Sequence, residues 1–218
     1  MIIAIDGPAG AGKSTVAKAL ASRLGFKYVD TGAIYRAVTL KVMNEGLDLK
    51  DEVAVCELID KSTIELKYVD GKLSVLLDGV DVTVEIRSQS VTNKIFFVSN
   101  KASIRSRLIK HQKDCANGVD AVVEGRDIGT VIFPDAEKKF FLNADVNVRA
   151  KRRYCELAGN DPAAKLSKIL EDIKLRDKND STRQVAPLMK VEDAISIDTT
   201  NLAPEEVVDS ICKNLDME

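Results

Sequence analysis

A glycine-rich segment near the N-terminus carries the clearest chemical signal in the chain. Residues 7–14 match the G-x-x-x-x-G-K-[ST] pattern at every specified position. Such glycines let successive backbone N–H groups point at one anion, and the helix that follows adds partial positive charge. Lys13 is expected to reach the β- and γ-phosphates, and the Ser14 hydroxyl to bind Mg²⁺. The segment therefore predicts a site for a nucleoside triphosphate, formed by Gly7, Pro8, Ala9, Gly10, Ala11, Gly12, Lys13, Ser14 and Thr15.

Two features that a GTPase requires are missing from the sequence. A GTPase senses the γ-phosphate with a glycine that follows an aspartate by three residues, and no glycine here has an aspartate at that position. Asn93-Lys94 and Asn100-Lys101 also lack the aspartate that would complete an Asn-Lys-x-Asp guanine clamp. A mechanical ATPase is disfavoured by the short chain of 218 residues. A kinase for a small phosphorylated acceptor fits better.

Several arginines occupy positions suited to a second anion. Arg36 follows the predicted second strand and Arg126 the third, and the carboxyl ends of parallel strands open on the same edge as the phosphate loop. Because guanidinium groups bind phosphate with bidentate geometry, these arginines predict recognition of a phosphorylated acceptor. Two further groups have helical spacing, and each is expected to share a helix face: Arg149, Arg152 and Arg153, and Arg176, Asp180 and Arg183.

Short apolar segments alternate with helical periodicity along most of the chain. Helical spacing of apolar residues separates the segments, and a late helix is expected from about Ala163. Such alternation predicts an α/β fold with a five-stranded, mostly parallel sheet flanked by helices. The apolar segments predict buried strands near residues 2–5, 26–29, 121–124, 139–142 and 194–197.

The pattern changes between residues 63 and 85. Apolar and polar residues alternate over 64–68 and again over 73–77, and Asp70-Gly71 is typical of a hairpin turn. Val80, Val82 and Val84 continue the alternation after a second Asp-Gly pair. The segment predicts a small antiparallel sheet of two or three strands inserted into the α/β chain.

Composition, net charge and cysteine spacing limit the kinds of protein that this chain can be. The 32 basic and 34 acidic residues give a net charge of −2, so a broad surface for nucleic acid is not expected. No apolar run approaches the ~20 residues of a membrane helix, and the N-terminus lacks the features of a signal peptide. The four cysteines have no CxxC spacing, which favours reduced thiols over a zinc site. We expect a cytoplasmic monomer that binds neither nucleic acid nor membrane.

Four segments resemble the signature segments of bacterial cytidylate kinases, which are P-loop nucleoside monophosphate kinases. They are residues 7–15, 30–36, 124–131 and 185–188, and their order and spacing match over nearly the whole chain. The phosphate loop is shared by many families, whereas Thr-Gly-Ala-Ile-Tyr-Arg and Gly-Arg-Asp-Ile-Gly-Thr are much more specific. The resemblance implies the P-loop kinase fold in one domain, 1–218, with a core of 1–62 and 86–218, a monophosphate-binding β insert at 63–85 and a short helical lid at about 149–163.

The resemblance also implies a reaction, transfer of the γ-phosphoryl group of ATP to CMP or dCMP, with Mg²⁺ as cofactor. Mg²⁺ would be held by Ser14, and by Glu124 through water. The catalytic residues would be Lys13, Arg126, Arg152, Arg153 and Arg176. CMP would be bound by Thr31, Tyr35, Arg36, Arg105, Arg126, Asp127, Arg176, Asp180 and Arg183.

Within this set the resemblance assigns different parts of CMP to different residues. Its phosphate would contact Arg36, Arg126 and Arg176. Arg105 and Asp127 would read the cytosine edge, and Asp180 and Arg183 would lie on the sugar side. The family often has a serine at the position of Phe96, whose ring cannot donate the same hydrogen bond, so the base contacts are expected to be rearranged.

The implied reaction suits these residue types. The second pKa of a phosphate monoester is about 6, so the acceptor is largely dianionic at pH 7 and needs no strong general base. Asp127 is expected to accept a hydrogen bond from the cytosine amine, where uracil has a carbonyl. Such a buried mismatch costs about 1–3 kcal/mol, which predicts that UMP is a poor substrate. A P-loop kinase for another small acceptor and a nucleotide-binding regulatory protein without turnover are the alternatives.

Overall fold

The computed structural model describes residues 1–69, 72–159 and 164–215. Its strands are β1 (Ile2–Asp6), β2 (Lys27–Asp30), β3 (Ile64–Val69), β4 (Lys72–Leu77), β5 (Val80–Asp81), β6 (Ala121–Gly125), β7 (Lys138–Asn143) and β8 (Ile195–Asp198). Its α-helices are α1 (Lys13–Leu24), α2 (Thr31–Asn44), α3 (Glu52–Asp60), α4 (Gln89–Ser99), α5 (Ala102–Asp114), α6 (Val146–Ala158), α7 (Leu166–Thr182) and α8 (Pro204–Lys213). The predicted start of a helix at Ala163 lies outside the described residues.

The main sheet has five parallel strands in the order β2-β6-β1-β7-β8. The central strand β1 is apolar on both faces, and Ile3, Ala4 and Ile5 are fully buried, as expected where helices cover both sides of a sheet. The prediction of a five-stranded parallel α/β sheet is confirmed. Its register places Asp6 opposite Gly125, and Asp30 opposite Glu124, so the polar ends of β1, β2 and β6 meet at one edge.

The insert forms a separate antiparallel sheet in the order β3-β4-β5. The alternating apolar side chains of β3 and β4 face the core, which confirms the period of two read from the sequence. The third strand is shorter than the predicted alternation through Val84, because the Asp81 carboxylate accepts hydrogen bonds from the backbone and hydroxyl of Thr83 and turns the chain. The predicted turn at Asp70-Gly71 lies outside the described residues.

Helices α6 and α7 pack on each other and enclose a small apolar cluster of Ala150, Ile169 and Ile173. Asp145 caps the start of α6 by accepting hydrogen bonds from the backbone N–H groups of Asn147 and Val148. No helix in the described ranges is long and apolar enough to cross a membrane.

Candidate active site

The phosphate loop connects β1 to α1 at the polar edge of the sheet. Gly10 and Gly12 have φ values of 76° and 86°, which a side chain would disfavour. Gly12 is the N-cap of α1 and has no side chain to cover the first N–H groups of the helix. The loop therefore presents backbone N–H donors and the positive end of α1 to an anion.

The side chain of Lys13 lies inside this loop. It is 5% exposed, and its Nζ donates a hydrogen bond to the carbonyl of Pro8 at 2.8 Å. Burial, together with the positive charges of Arg126 and Arg176, lowers the pKa of Lys13 to about 7. Lys13 and these two arginines therefore lie within electrostatic reach of one another, as the sequence-based assignment requires.

Hydroxyl and carboxylate oxygens meet directly behind the phosphate loop. The Ser14 hydroxyl donates to Glu124 Oε1 at 2.5 Å, and the Tyr28 hydroxyl donates to the same oxygen at 3.0 Å. Thr31 donates from its hydroxyl to the Glu124 carbonyl at 2.8 Å. Such hard oxygen ligands suit Mg²⁺, which usually keeps waters and phosphate oxygens around one or two protein groups. The described residues include no group of three Asp, Glu, His or Cys side chains that could hold a metal ion.

Two arginines lie beside the carboxylate of Asp180, and a third, Arg36, interacts electrostatically with both of them. The Nε of Arg126 donates to Asp180 Oδ2 at 2.9 Å, and the Nε of Arg176 lies 3.9 Å from the same oxygen. Arg36 donates from Nη1 to the hydroxyl of Thr92 on α4 at 2.9 Å. Burial lowers the pKa of Arg176 to about 9, and the charges of Arg126 and Arg36 act in the same direction. The positive charges of these arginines repel one another, and a bound phosphate dianion would offset that repulsion.

The carboxylate of Asp127 is buried between two guanidinium groups. Arg105 forms an ion pair with Asp127 Oδ2, donates to the Ser99 carbonyl at 3.1 Å and lies 5.3 Å from the centre of the Tyr35 ring. On the other side, Nη2 of Arg183 is 3.5 Å from Asp127 Oδ1. Each carboxylate oxygen can accept more than one hydrogen bond, so Asp127 keeps the capacity to accept from a ligand.

The three arginines of α6 reach different parts of the site, although their spacing predicts one helix face. Arg149 donates to the Ala9 carbonyl at 3.0 Å and forms an ion pair with Asp177. Arg152 donates to the Thr199 carbonyl at 2.6 Å. Arg153 pairs with Glu156, and its charge lowers the pKa values of Arg36 and Arg176. Long side chains from one helix face thus reach the phosphate loop, α7 and the segment after β8.

The sequence interpretation missed three residues of this region. Asp6 and Asp30 end strands β1 and β2, and burial raises the pKa of each carboxyl to about 6. Their position at strand ends is the same signal that identified Arg126. Thr199 follows β8 and donates its hydroxyl to the Ala11 carbonyl at 3.1 Å, a contact for which the local sequence gives no signal.

The site and fold can be compared with known proteins. A family model described as cytidylate kinase matches residues 3–217. A cytidylate kinase of Caldanaerobacter subterraneus subsp. tengcongensis is 52% identical over 209 residues, covering 96% of this chain and 92% of the relative. A cytidylate kinase of Lactobacillus gasseri is 48% identical over 211 residues, covering 97% and 92%.

Solved structures support the fold at much lower sequence identity. A shikimate kinase from Bacteroides thetaiotaomicron superposes with a TM-score of 0.51 at 12% identity, covering 100% of this chain and 99% of the other. An uncharacterized protein from Eubacterium ventriosum superposes with a TM-score of 0.53 at 17% identity and the same coverage. At these identities the likeness concerns the fold alone.

Proposed function

The chain belongs to the cytidylate kinase family and is an ATP-dependent CMP kinase, and we propose that the γ-phosphoryl group passes to CMP or dCMP in the cleft between the phosphate loop and the arginine cluster. One observation carries this placement. The Ser14 hydroxyl of the phosphate loop donates to Glu124 at 2.5 Å, and Glu124 stands two residues before Arg126, so the groups proposed for the donor and the acceptor lie at the same edge of the sheet. A kinase must bring two polyanions together, and a concentration of cations offsets their repulsion.

ATP would bind with its phosphates in the loop of residues 7–15. The ammonium group of Lys13 has three donors, and one of them is used by the Pro8 carbonyl, so the group can bridge the loop and the β- and γ-phosphates. Ser14 and Glu124 would hold Mg²⁺, Glu124 through a water molecule. When bound, the ion neutralises charge on the β- and γ-phosphate oxygens.

The phosphate of CMP would bind to Arg36, Arg126 and Arg176. One of its oxygens is the nucleophile, and its dianionic state at neutral pH makes a general base unnecessary. Asp180 holds Arg126 and attracts Arg176, so it orients the two guanidinium groups that face the acceptor. Asp180 and Arg183 would also lie beside the sugar, and Thr31, whose hydroxyl donates to the Glu124 carbonyl, would belong to the same site.

Cytosine would be read by Asp127 and Arg105, with the Tyr35 ring supporting the guanidinium. Helix α4 borders this pocket, because Thr92 contacts Arg36 and Ser99 contacts Arg105. Phe96 lies one helical turn from each of these contacts, so we place it between the proposed positions of the phosphate and the base. It would offer an apolar surface where the family often has a hydroxyl.

The lid arginines are proposed to complete the charge neutralisation. Arg153 already acts electrostatically on the acceptor arginines. Arg152 donates hydrogen bonds to Thr199, so its predicted contact with the transferred group requires the Arg152 side chain to leave Thr199 when substrates bind. The domain limits, the monomeric state, the cytoplasmic location and the lack of nucleic-acid or membrane partners stay predictions from the sequence.

ADP release with MgATP and a panel of nucleoside monophosphates tests this function. CMP and dCMP should give the highest kcat/KM. UMP should be about 5- to 150-fold worse, because its carbonyl would face the Asp127 carboxylate. Faster turnover of AMP or UMP would contradict the cytosine assignment. ATP binding without acceptor-stimulated turnover would instead favour a nucleotide-binding regulatory protein.

ATP binding at pH 8 should take up close to one proton. The free enzyme holds Lys13 with a pKa of about 7, and the phosphates of ATP would raise that pKa well above 8. Below pH 7 the free enzyme already carries the Lys13 proton, so binding needs no proton uptake and ATP affinity is highest. Above pH 7 the proton must be taken up on binding, so ATP affinity should fall as the pH rises. Calorimetry in two buffers of different ionisation enthalpy measures the uptake. The control is Lys13→Arg, whose side chain stays charged and should take up none; equal enthalpies for the unaltered chain in both buffers would contradict the assignment.

A further inference from the structure

The carboxylate of Asp6 links the two loops that form the cleft. Asp6 ends β1 immediately before the phosphate loop and is 6% exposed. Its Oδ1 accepts a hydrogen bond from the backbone N–H of Ile128 at 2.9 Å, and its Oδ2 accepts from that of Gly129 at 2.8 Å. These two N–H groups directly follow Arg126 and Asp127 in the chain. The Asp6 side chain therefore holds the segment proposed to bind the acceptor next to the start of the loop proposed to bind the donor.

The same contacts explain how Asp127 keeps its carboxylate available. The chain after β6 forms one helical turn, Ile128–Ile132, and Asp127 is its N-cap residue. An aspartate at an N-cap usually accepts hydrogen bonds from the first N–H groups of the turn. Asp127 makes no such bond among the described residues, because its carboxylate pairs with Arg105 and lies beside Arg183. Asp6 caps the turn from a neighbouring strand in its place.

We propose that Asp6 is a positioning residue for acceptor recognition, which caps the turn after Asp127 and so leaves the Asp127 carboxylate to read the base. This inference rests on the proposed function and extends it to a residue outside the set that binds CMP. The register of the sheet makes the arrangement possible, since Asp6 stands opposite Gly125 and its side chain reaches over the end of β6.

The substitution Asp6→Asn tests the proposal with almost no change in shape. The new amide keeps one acceptor oxygen but turns an NH₂ group toward the second backbone N–H, so one capping bond is lost. We expect kcat/KM for CMP to fall at least tenfold and the ratio of kcat/KM for CMP over UMP to fall at least fivefold. The KM for ATP should change less than twofold.

Asp51→Ala is the matched control. Asp51 also caps a turn with two backbone N–H groups, those of Val53 and Ala54, but it is exposed and begins α3 outside the cleft. Its loss should lower the melting temperature by about 2–4 °C and leave the CMP over UMP ratio unchanged. A stability effect of Asp6→Asn alone, with an unchanged ratio, would mean a purely structural role and would overturn the proposal.

Two further results decide the matter independently. In an Asp127→Asn background, Asp6→Asn should lower the CMP over UMP ratio by less than twofold, because the residue it positions is already changed; the full fivefold loss in both backgrounds would overturn the proposal. In the unaltered chain, amide hydrogen exchange at Ile128 and Gly129 should be slow, and fast exchange would also overturn it. If the unaltered enzyme turned over UMP as well as CMP, the proposed function itself would fail.

Discussion

Replacing Arg126 by alanine should lower kcat for CMP by about 10³-fold or more while the chain stays folded. A guanidinium group has five N–H donors in a fixed plane. Arg126 uses one on Asp180 and one on the Gly125 carbonyl, which leaves donors for the phosphate that we place beside it. In the proposed role Arg126 stabilises the negative charge that develops in the transition state, so kcat should fall more than the KM for CMP rises.

The fold should survive because the substitution does not leave Asp180 without a cation. Arg176 lies 3.9 Å from the same carboxylate oxygen, and Arg183 also holds the pKa of Asp180 down. Steady-state kinetics and thermal melting measure the two effects separately. Near-normal turnover of Arg126→Ala would refute its phosphate role.

Two control variants make the result specific. Arg107→Ala removes an arginine that pairs with Asp60 through Nε at 3.0 Å, on the exposed side of α5, and it should leave turnover unchanged. Arg126→Lys keeps the charge but loses the planar bidentate donor set, so its kcat should lie between those of the alanine variant and the unaltered enzyme.

The elements that could be predicted from the sequence are those that local patterns encode. A buried parallel strand needs a short apolar run, and β1 and β6 each have one that ends in a polar residue. The geometry of the glycine-rich segment could also be predicted, since Gly10 and Gly12 adopt the left-handed conformations that the pattern implies. The alternation over residues 64–77 likewise predicted the insert, because a period of two has one structural reading.

The parts that could not be predicted depend on contacts between distant segments. Helical spacing places Arg149, Arg152 and Arg153 on one face, but which partner each side chain reaches depends on the loops around Ala9 and Thr199. The short third strand of the insert depends on one side-chain turn at Asp81. Asp6 caps a turn that begins 122 residues later, and only the register of β1 on β6 brings the two together.

These contacts explain how a chain of near-neutral net charge can contain a strongly positive site. The cleft concentrates arginines, yet Asp180 and Asp127 lie among them and limit their mutual repulsion in the absence of substrate. Bound phosphates would take over part of that role, which is why the lowered pKa values of Lys13 and Arg176 should return toward their usual range on binding. A net charge of −2 is therefore compatible with a site that is strongly positive locally.

The second large effect is expected from Gly7→Ala, at the start of the phosphate loop. Gly7 has a φ of 148°, and a Cβ built there would lie 2.0 Å from the backbone carbonyl oxygen of Leu142. Leu142 belongs to β7, which pairs with β1 in the middle of the sheet, so neither backbone can move without breaking the sheet. The phosphate loop must shift instead, and we expect the KM for ATP to rise at least tenfold and the melting temperature to fall by more than about 5 °C.

Gly46→Ala separates the two causes of this loss. Gly46 also has a positive φ, 67°, but a Cβ there would meet no atom within 4 Å. Its substitution carries only the cost of the left-handed conformation, about 1–2 kcal/mol, and should lower the melting temperature by a few degrees with the KM for ATP unchanged. Because both variants add the same methyl group, the difference between them measures the close approach of the loop to β7 together with the greater backbone strain of an alanine at a φ of 148° than at 67°. Equal effects of the two variants on ATP binding would show that this contact does not set the position of the phosphate loop.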